Sequence, residues 1–107
     1  MIAPERLGLL GLGLRAGSVI VGTNGVRAAL QRGEAALVVI AGDCSERTEA
    51  KVVRLAEAKQ VPVLSGPAAR QLGERLGRAA VQAVAVRDAQ LAAGIMRGGE
   101  PAQSRRT

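Results

Sequence analysis

Apolar and polar positions alternate along this chain between two rhythms. Leu7, Leu10 and Leu14 share one face of a helix predicted over 4–15, with Pro4 at its first position and Gly17 after its end. Ser18–Val21 is short and β-branched, and reads as a strand. Thr23 or Asn24 is then placed to cap a helix that turns Val26, Ala29 and Leu30 inward and stops at Gly33. Ala36–Ala41 is apolar without a break, the pattern of a strand covered on both faces.

The second half repeats this alternation. Asp43 and Ser45 offer caps for a helix whose inner surface is Val52, Val53, Leu55 and Ala56. Val61–Leu64 reads as a third strand, Ala68–Leu76 as a helix after Pro67, Ala83–Val86 as a fourth strand and Ala89–Met96 as the last helix. Residues 97–107 form a polar Gly/Pro/Arg stretch too poor in apolar residues to fold by itself. The expected fold class is α/β, a three-layer α-β-α sandwich around a central four-stranded mixed sheet. Residues 1–96 would form one domain, followed by a flexible basic tail.

Composition narrows the chemistry. Among the 107 residues there is no His, Phe, Tyr or Trp, and Cys44 is the single cysteine. The commonest general base and zinc ligand are therefore absent, as are disulfides and thiolate clusters. The aromatic platforms on which many single-strand binders stack bases are missing too. No metal, cofactor or small-molecule substrate is expected, and an enzyme built on Cys44 or Asp43 would lack an activating base. No apolar run approaches the ~20 residues of a membrane helix. Leu7–Leu14 is broken by glycines and followed by Arg15 where a cleavage site would begin, so a signal peptide is not expected either. The expected setting is cytoplasmic, with Cys44 reduced.

The net charge is +6, and Lys51 and Lys59 are the only lysines among fifteen basic residues. Arginine suits bidentate contacts with phosphate and guanine, so a polyanion becomes a plausible partner. The most informative segment is Val21-Gly-Thr-Asn-Gly-Val-Arg27. A strand that runs through a glycine into a helix start leaves free N–H groups facing outward, which favours an anion. Asn24 and Arg27 lie three apart on that first turn and can both address a base edge. The plain alternative is an ordinary helix cap with one solvated arginine.

Other motifs carry less. Gly11-Leu-Gly13-Leu-Arg-Ala16 fits a loose dinucleotide fingerprint, but no strand can precede it, so the glycines are expected to serve helix packing. Arg47, Lys51 and Arg54 make a basic stripe at helical spacing, of the kind that is most often merely solvated. Val61-Pro-Val-Leu-Ser-Gly-Pro67 ends a strand in small and apolar residues, either a plain connection or a platform for an extruded nucleotide.

Taken together, Leu9-Gly-Leu-Gly-Leu-Arg-Ala-Gly17, Gly22-Thr-Asn-Gly-Val-Arg-Ala-Ala-Leu30, Leu37-Val-Val-Ile-Ala-Gly-Asp43, Val61-Pro-Val63 and Leu72-Gly73 resemble the L-seven-Ae ribosomal protein family. The resemblance spans about residues 4–96 and is nearest to small bacterial members. It implies an α-β-α sandwich that binds kink-turn RNA, in which a Gly-x-Asn-Glu-x-x-Lys segment grips tandem sheared G·A pairs. By that resemblance Asn24 would contact a guanine and Arg27 would stand in for the basic residue. Gly22 and Thr23 would bring backbone close to phosphate, and Leu64, Ser65 and Gly66 would pack on the flipped nucleotide. Gly25 replaces the family's Glu and removes an acceptor, a loss of about 1–3 kcal/mol for one base-edge contact. Lys51, from the basic stripe, completes the candidate RNA-binding set.

The partner implied is structured RNA, a kink-turn or related fold such as ribosomal RNA supplies, bound by a monomer without catalysis. A protein–protein interaction module on the same fold, with little RNA affinity, is the alternative.

Overall fold

A computed structural model describes residues 6–98. Helix α1 (Leu7–Arg15) leads to β1 (Val19–Val21), α2 (Thr23–Gln31), β2 (Leu37–Ile40) and α3 (Glu46–Ala58). Then follow β3 (Val63–Ser65), α4 (Ala69–Arg75), β4 (Ala83–Val86) and α5 (Ala89–Gly98). The strands form one mixed sheet in the order β1-β4-β2-β3. β4 runs antiparallel to both of its neighbours, Val86 facing Val19 of β1 and Leu37 of β2, whereas β3 runs parallel to β2.

The period-two alternation of the strands sorts the core into two layers. Leu37 and Val39 of β2 and Val84 and Val86 of β4 face α1, α4 and α5, meeting Leu10, Leu72 and Ile95. Val38, Ile40, Ala83 and Ala85 face the other way, toward Val26, Ala29 and Leu30 of α2 and Val52 and Ala56 of α3. Two alanines on that side of β4 let α2 lie close to the sheet. Leu30 is fully buried there, and truncating it to alanine should cost about 2–5 kcal/mol. The expected three-layer sandwich with a four-stranded mixed sheet is thus the observed architecture.

Local details depart from the sequence reading in instructive ways. Neither Thr23 nor Asn24 caps α2. Gly22 is the cap residue, at φ 106° and ψ 149°, and no side chain bonds the exposed amides. Ser45 does cap α3, accepting from the Thr48 amide at 3.1 Å. Asp43 instead reaches across to α4 and accepts from the Ala69 amide at 2.7 Å. Val53 and Leu55 are only half-buried on α3.

β3 begins two residues later than expected, because Val61 N–H turns back to the Ala56 carbonyl and Pro62 has no N–H. α5 reaches Gly98, past the expected domain end at 96. Pro4 and residues 99–107 of the expected tail lie outside the described residues.

The glycines of α1 serve packing. A Cβ on Gly13 would meet Val19 Cγ2 at 2.6 Å, and one on Gly11 would meet the Arg75 carbonyl at 3.2 Å. They lie inside the helix, not at a strand-to-helix turn.

Candidate nucleic-acid interface

The sheet topology decides which loops meet. β1, β2 and β3 all point the same way, so their C-terminal ends and the start of β4 share one edge. That edge gathers the β1–α2 turn, residues 41–45 and residues 65–68. Since β1 and β3 are the outer strands, the first and last of these lie on the order of 14 Å apart. The crevice beyond the carboxyl ends of parallel strands is where open α/β sheets commonly bind ligands.

The middle of this edge is braced by hydrogen bonds. Gly42 N–H donates to the Pro67 carbonyl at 2.9 Å, and Gly66 N–H to the Ile40 carbonyl at 2.7 Å. Ser45 N–H donates to Gln82 Oε1 at 3.2 Å. Together with the Asp43–Ala69 bond, these tie residues 41–45 to residues 65–69 and to the approach to β4 in one platform.

At its β1 side the chain enters α2 without transition. Gly22 N–H is held by the Ala83 carbonyl, and Val26 N–H is the first to bond within the helix, to the Gly22 carbonyl. The amides of Thr23, Asn24 and Gly25 have no partner among the described residues, so three donors and the positive end of the helix macrodipole face outward. Gly22 makes this possible, since its positive φ belongs to backbone that essentially only glycine adopts. Asn24 is exposed at this end, while Thr23, Gly25 and Arg27 are half-buried.

Each expected site residue can now be placed. Gly22, Thr23, Asn24, Gly25 and Arg27 form one continuous turn. Lys51 joins them from α3: it lines, with Arg27 and Arg54, a groove between α2 and α3. Arg47, the remaining residue of the stripe, is not part of that lining. Ser65 is exposed at the β3 edge. Gly66 is buried with its amide already committed. Leu64 is 2% exposed and packs in the core beneath α1, α4 and α5, so its side chain offers a ligand no surface. In a Gly-x-Asn-Glu-x-x-Lys register the basic position falls on half-buried Ala28, one residue beyond Arg27. Basic charge at this turn therefore comes from the neighbouring position. Arg54, named in the basic stripe but not in the candidate RNA-binding set, lines the groove beside Lys51, and its neighbour across the groove, Arg27, is invisible in local spacing.

Two groups near the platform are poorly suited to nucleophilic chemistry. Burial pushes the Cys44 thiol above its ordinary value and the Glu49 and Asp43 carboxylates push it further, against a smaller opposing effect of its own backbone hydrogen bond. A thiol so shifted is a weaker thiolate source at neutral pH. Asp43 is occupied with the Ala69 amide. Among the described residues no group of three metal-ligating side chains comes together. Nor is any described helix long and apolar enough to cross a membrane.

A mixed sheet between two helical layers, with an uncapped helix start beside a braced loop edge, defines a small α-β-α sandwich protein. Residues 7–94 match the sequence profile of the Ribosomal protein L7Ae/L30e/S12e/Gadd45 family, and the chain belongs to that family. Among solved structures it is similar to a protein with unknown function from Bacillus halodurans C. That likeness has a TM-score of 0.79 at 31% sequence identity, covering 88% of this chain and 99% of the other. No curated protein sequence matches the chain.

Proposed function

We propose that this protein binds structured RNA without catalysing a reaction on it, and that it stabilises the kinked form of a kink-turn or closely related fold. The observation that carries the reading is the α2 start, where three unbonded amides, an exposed Asn24 and a neighbouring Arg27 converge on one turn. Amides and dipole suit a phosphate, and the Asn24 amide group suits a base edge. Exposed Ser65 supplies the second contact across the sheet edge, and Lys51 adds charge from α3. Family membership supports RNA as the partner. The raised Cys44 thiol and the occupied Asp43 support a binding rather than a catalytic role. The protein acts as a monomer in the cytoplasm, residues up to about 96 forming the binding domain. It shifts an RNA equilibrium by preferring the bent state.

The test is titration into a doubly labelled kink-turn hairpin without Mg²⁺, beside a control hairpin lacking the G·A pairs. Folding of the first alone at submicromolar protein is the expected result. Equal, salt-sensitive binding to both would remove kink-turn specificity. Binding to neither would overturn the RNA reading in favour of a protein partner.

A further inference from the structure

The α2 start can hold one phosphate or one base edge, yet basic charge continues well beyond it. α2 and α3 follow the parallel strands β1 and β2 and return over the same sheet face, so both helix starts lie at the loop edge. Between them runs a groove of about 400 Å³ with Arg27, Lys51 and Arg54 as its cations and Leu55 and Ala58 among its lining. On α2 it runs from Arg27, one turn in from the helix start, to Gln31, where Lys59 Nζ donates to the Gln31 carbonyl at 3.4 Å.

Three features favour a ribose–phosphate strand as the occupant. First, the groove cations are uncommitted: the one ion pair among the described residues is Arg32–Glu34, at 3.3 Å. Second, the carboxylates Glu46, Glu49 and Glu57 line the opposite flank of α3, with Arg54 on the crest between the two sides. α3 therefore divides an attractive side from a repulsive one. Third, nine residues of α2 make a wall of about 12 Å, longer than one anion needs. The groove has no aromatic ring for bases to stack on, and its three cations suit the phosphates of a backbone.

We propose that the α2–α3 groove carries the phosphodiester backbone of one RNA stem as it leaves the α2 start. The helix start reads a point on the RNA; the groove fixes the direction in which the stem departs. This inference rests on the RNA-binding reading above.

The experiment uses the full chain and the kink-turn hairpin, with each flanking stem shortened in turn. The variant carries Lys51→Gln and Arg54→Gln, two exposed positions whose loss leaves the core intact. On the full hairpin the variant should bind roughly tenfold more weakly, and its log K against log salt should be shallower by about 1.5. On one of the two shortened hairpins, wild type and variant should bind alike. Asn24→Ala, by contrast, should weaken binding to every hairpin. An unchanged salt slope, or an equal variant effect on all three RNAs, would overturn the groove assignment while the α2 reading stands. Failure of the wild type to bind any hairpin would overturn both.

Discussion

Replacing Gly25 tests whether packing, and not only RNA contact, keeps glycine at the third residue of α2. A Cβ added there would lie 2.7 Å from Ile20 Cγ2, against a comfortable carbon–carbon separation of about 3.5–4.0 Å. Ile20 is branched at Cβ, and its stiff χ1 keeps that methyl from swinging aside cheaply. Glycine to alanine in a helix ordinarily gains about 0.5–1 kcal/mol, whereas overpacking costs about 1–3 kcal/mol. Gly25→Ala should therefore destabilise the fold by about 0.5–2 kcal/mol. Ile20→Leu keeps the side-chain volume but removes the Cγ2 methyl, at a cost below about 1.5 kcal/mol. With that methyl gone, Gly25→Ala should become neutral or stabilising, a coupling of about 1–2 kcal/mol between the two sites.

Urea unfolding of the wild type, both single variants and the double variant measures this directly, provided m stays constant. Stabilisation by Gly25→Ala alone, or additivity within about 0.5 kcal/mol, would refute the steric account. The result reaches function, because the family's Glu at this position would meet the same methyl. Gly25→Glu should tighten kink-turn binding most clearly when combined with Ile20→Leu.

Other expectations follow from the same geometry. Asn24→Ala should weaken RNA binding at least tenfold with little change in Tm, because Gly22 and not Asn24 occupies the cap position; matched losses in both assays would contradict this. Gly22→Ala should cost about 1–3 kcal/mol in chemical denaturation, since its φ of 106° excludes an L side chain without strain; a wild-type midpoint would count against the turn described. For Cys44, the pH midpoint of alkylation should lie higher in the native protein than in the urea-unfolded chain, and a lower native midpoint would be contrary. By linkage, the unfolded chain gives up this proton first. The thiol's contribution to stability is thus intact below the unfolded pKa and disappears as pH rises through the folded one.

Much of this architecture was legible because its signals are local. The continuous apolar run of β2 and the alternation in β4 announce strands buried on both faces, and the predicted bounds of β4 coincide with the observed ones. The strand-to-helix turn at the start of α2 was legible for the same reason, since Gly22-Thr-Asn is one contiguous signal. What escaped depends on partners distant in sequence. Asp43 looks like a cap for the next helix, but its acceptor is used by Ala69, twenty-six positions later. Leu64 reads as the end of a strand and only the resemblance sets it against a nucleotide; its burial beneath α1, α4 and α5 rests on packing that local pattern does not reveal. Arg54 and Lys51 read as one stripe on a single helix; only packing of α2 beside α3 brings Arg27 opposite them.

The position of β4 also governs when this protein can fold. β4 is the last strand among the described residues yet sits between β1 and β2, joining Val19 to Val86 across sixty-seven positions. Until it arrives, β1 has no hydrogen-bonding neighbour and stands apart from the β2–β3 pair. Contacts of such long sequence separation form slowly and leave unpaired strand edges exposed meanwhile. A nascent chain halted before residue 83 therefore has only the β2–β3 pair for a sheet, with β1 unpaired. The turn at Gly22 also lacks the Ala83 carbonyl that anchors it. The open helix start of α2 is held in place only once β4 has joined the sheet.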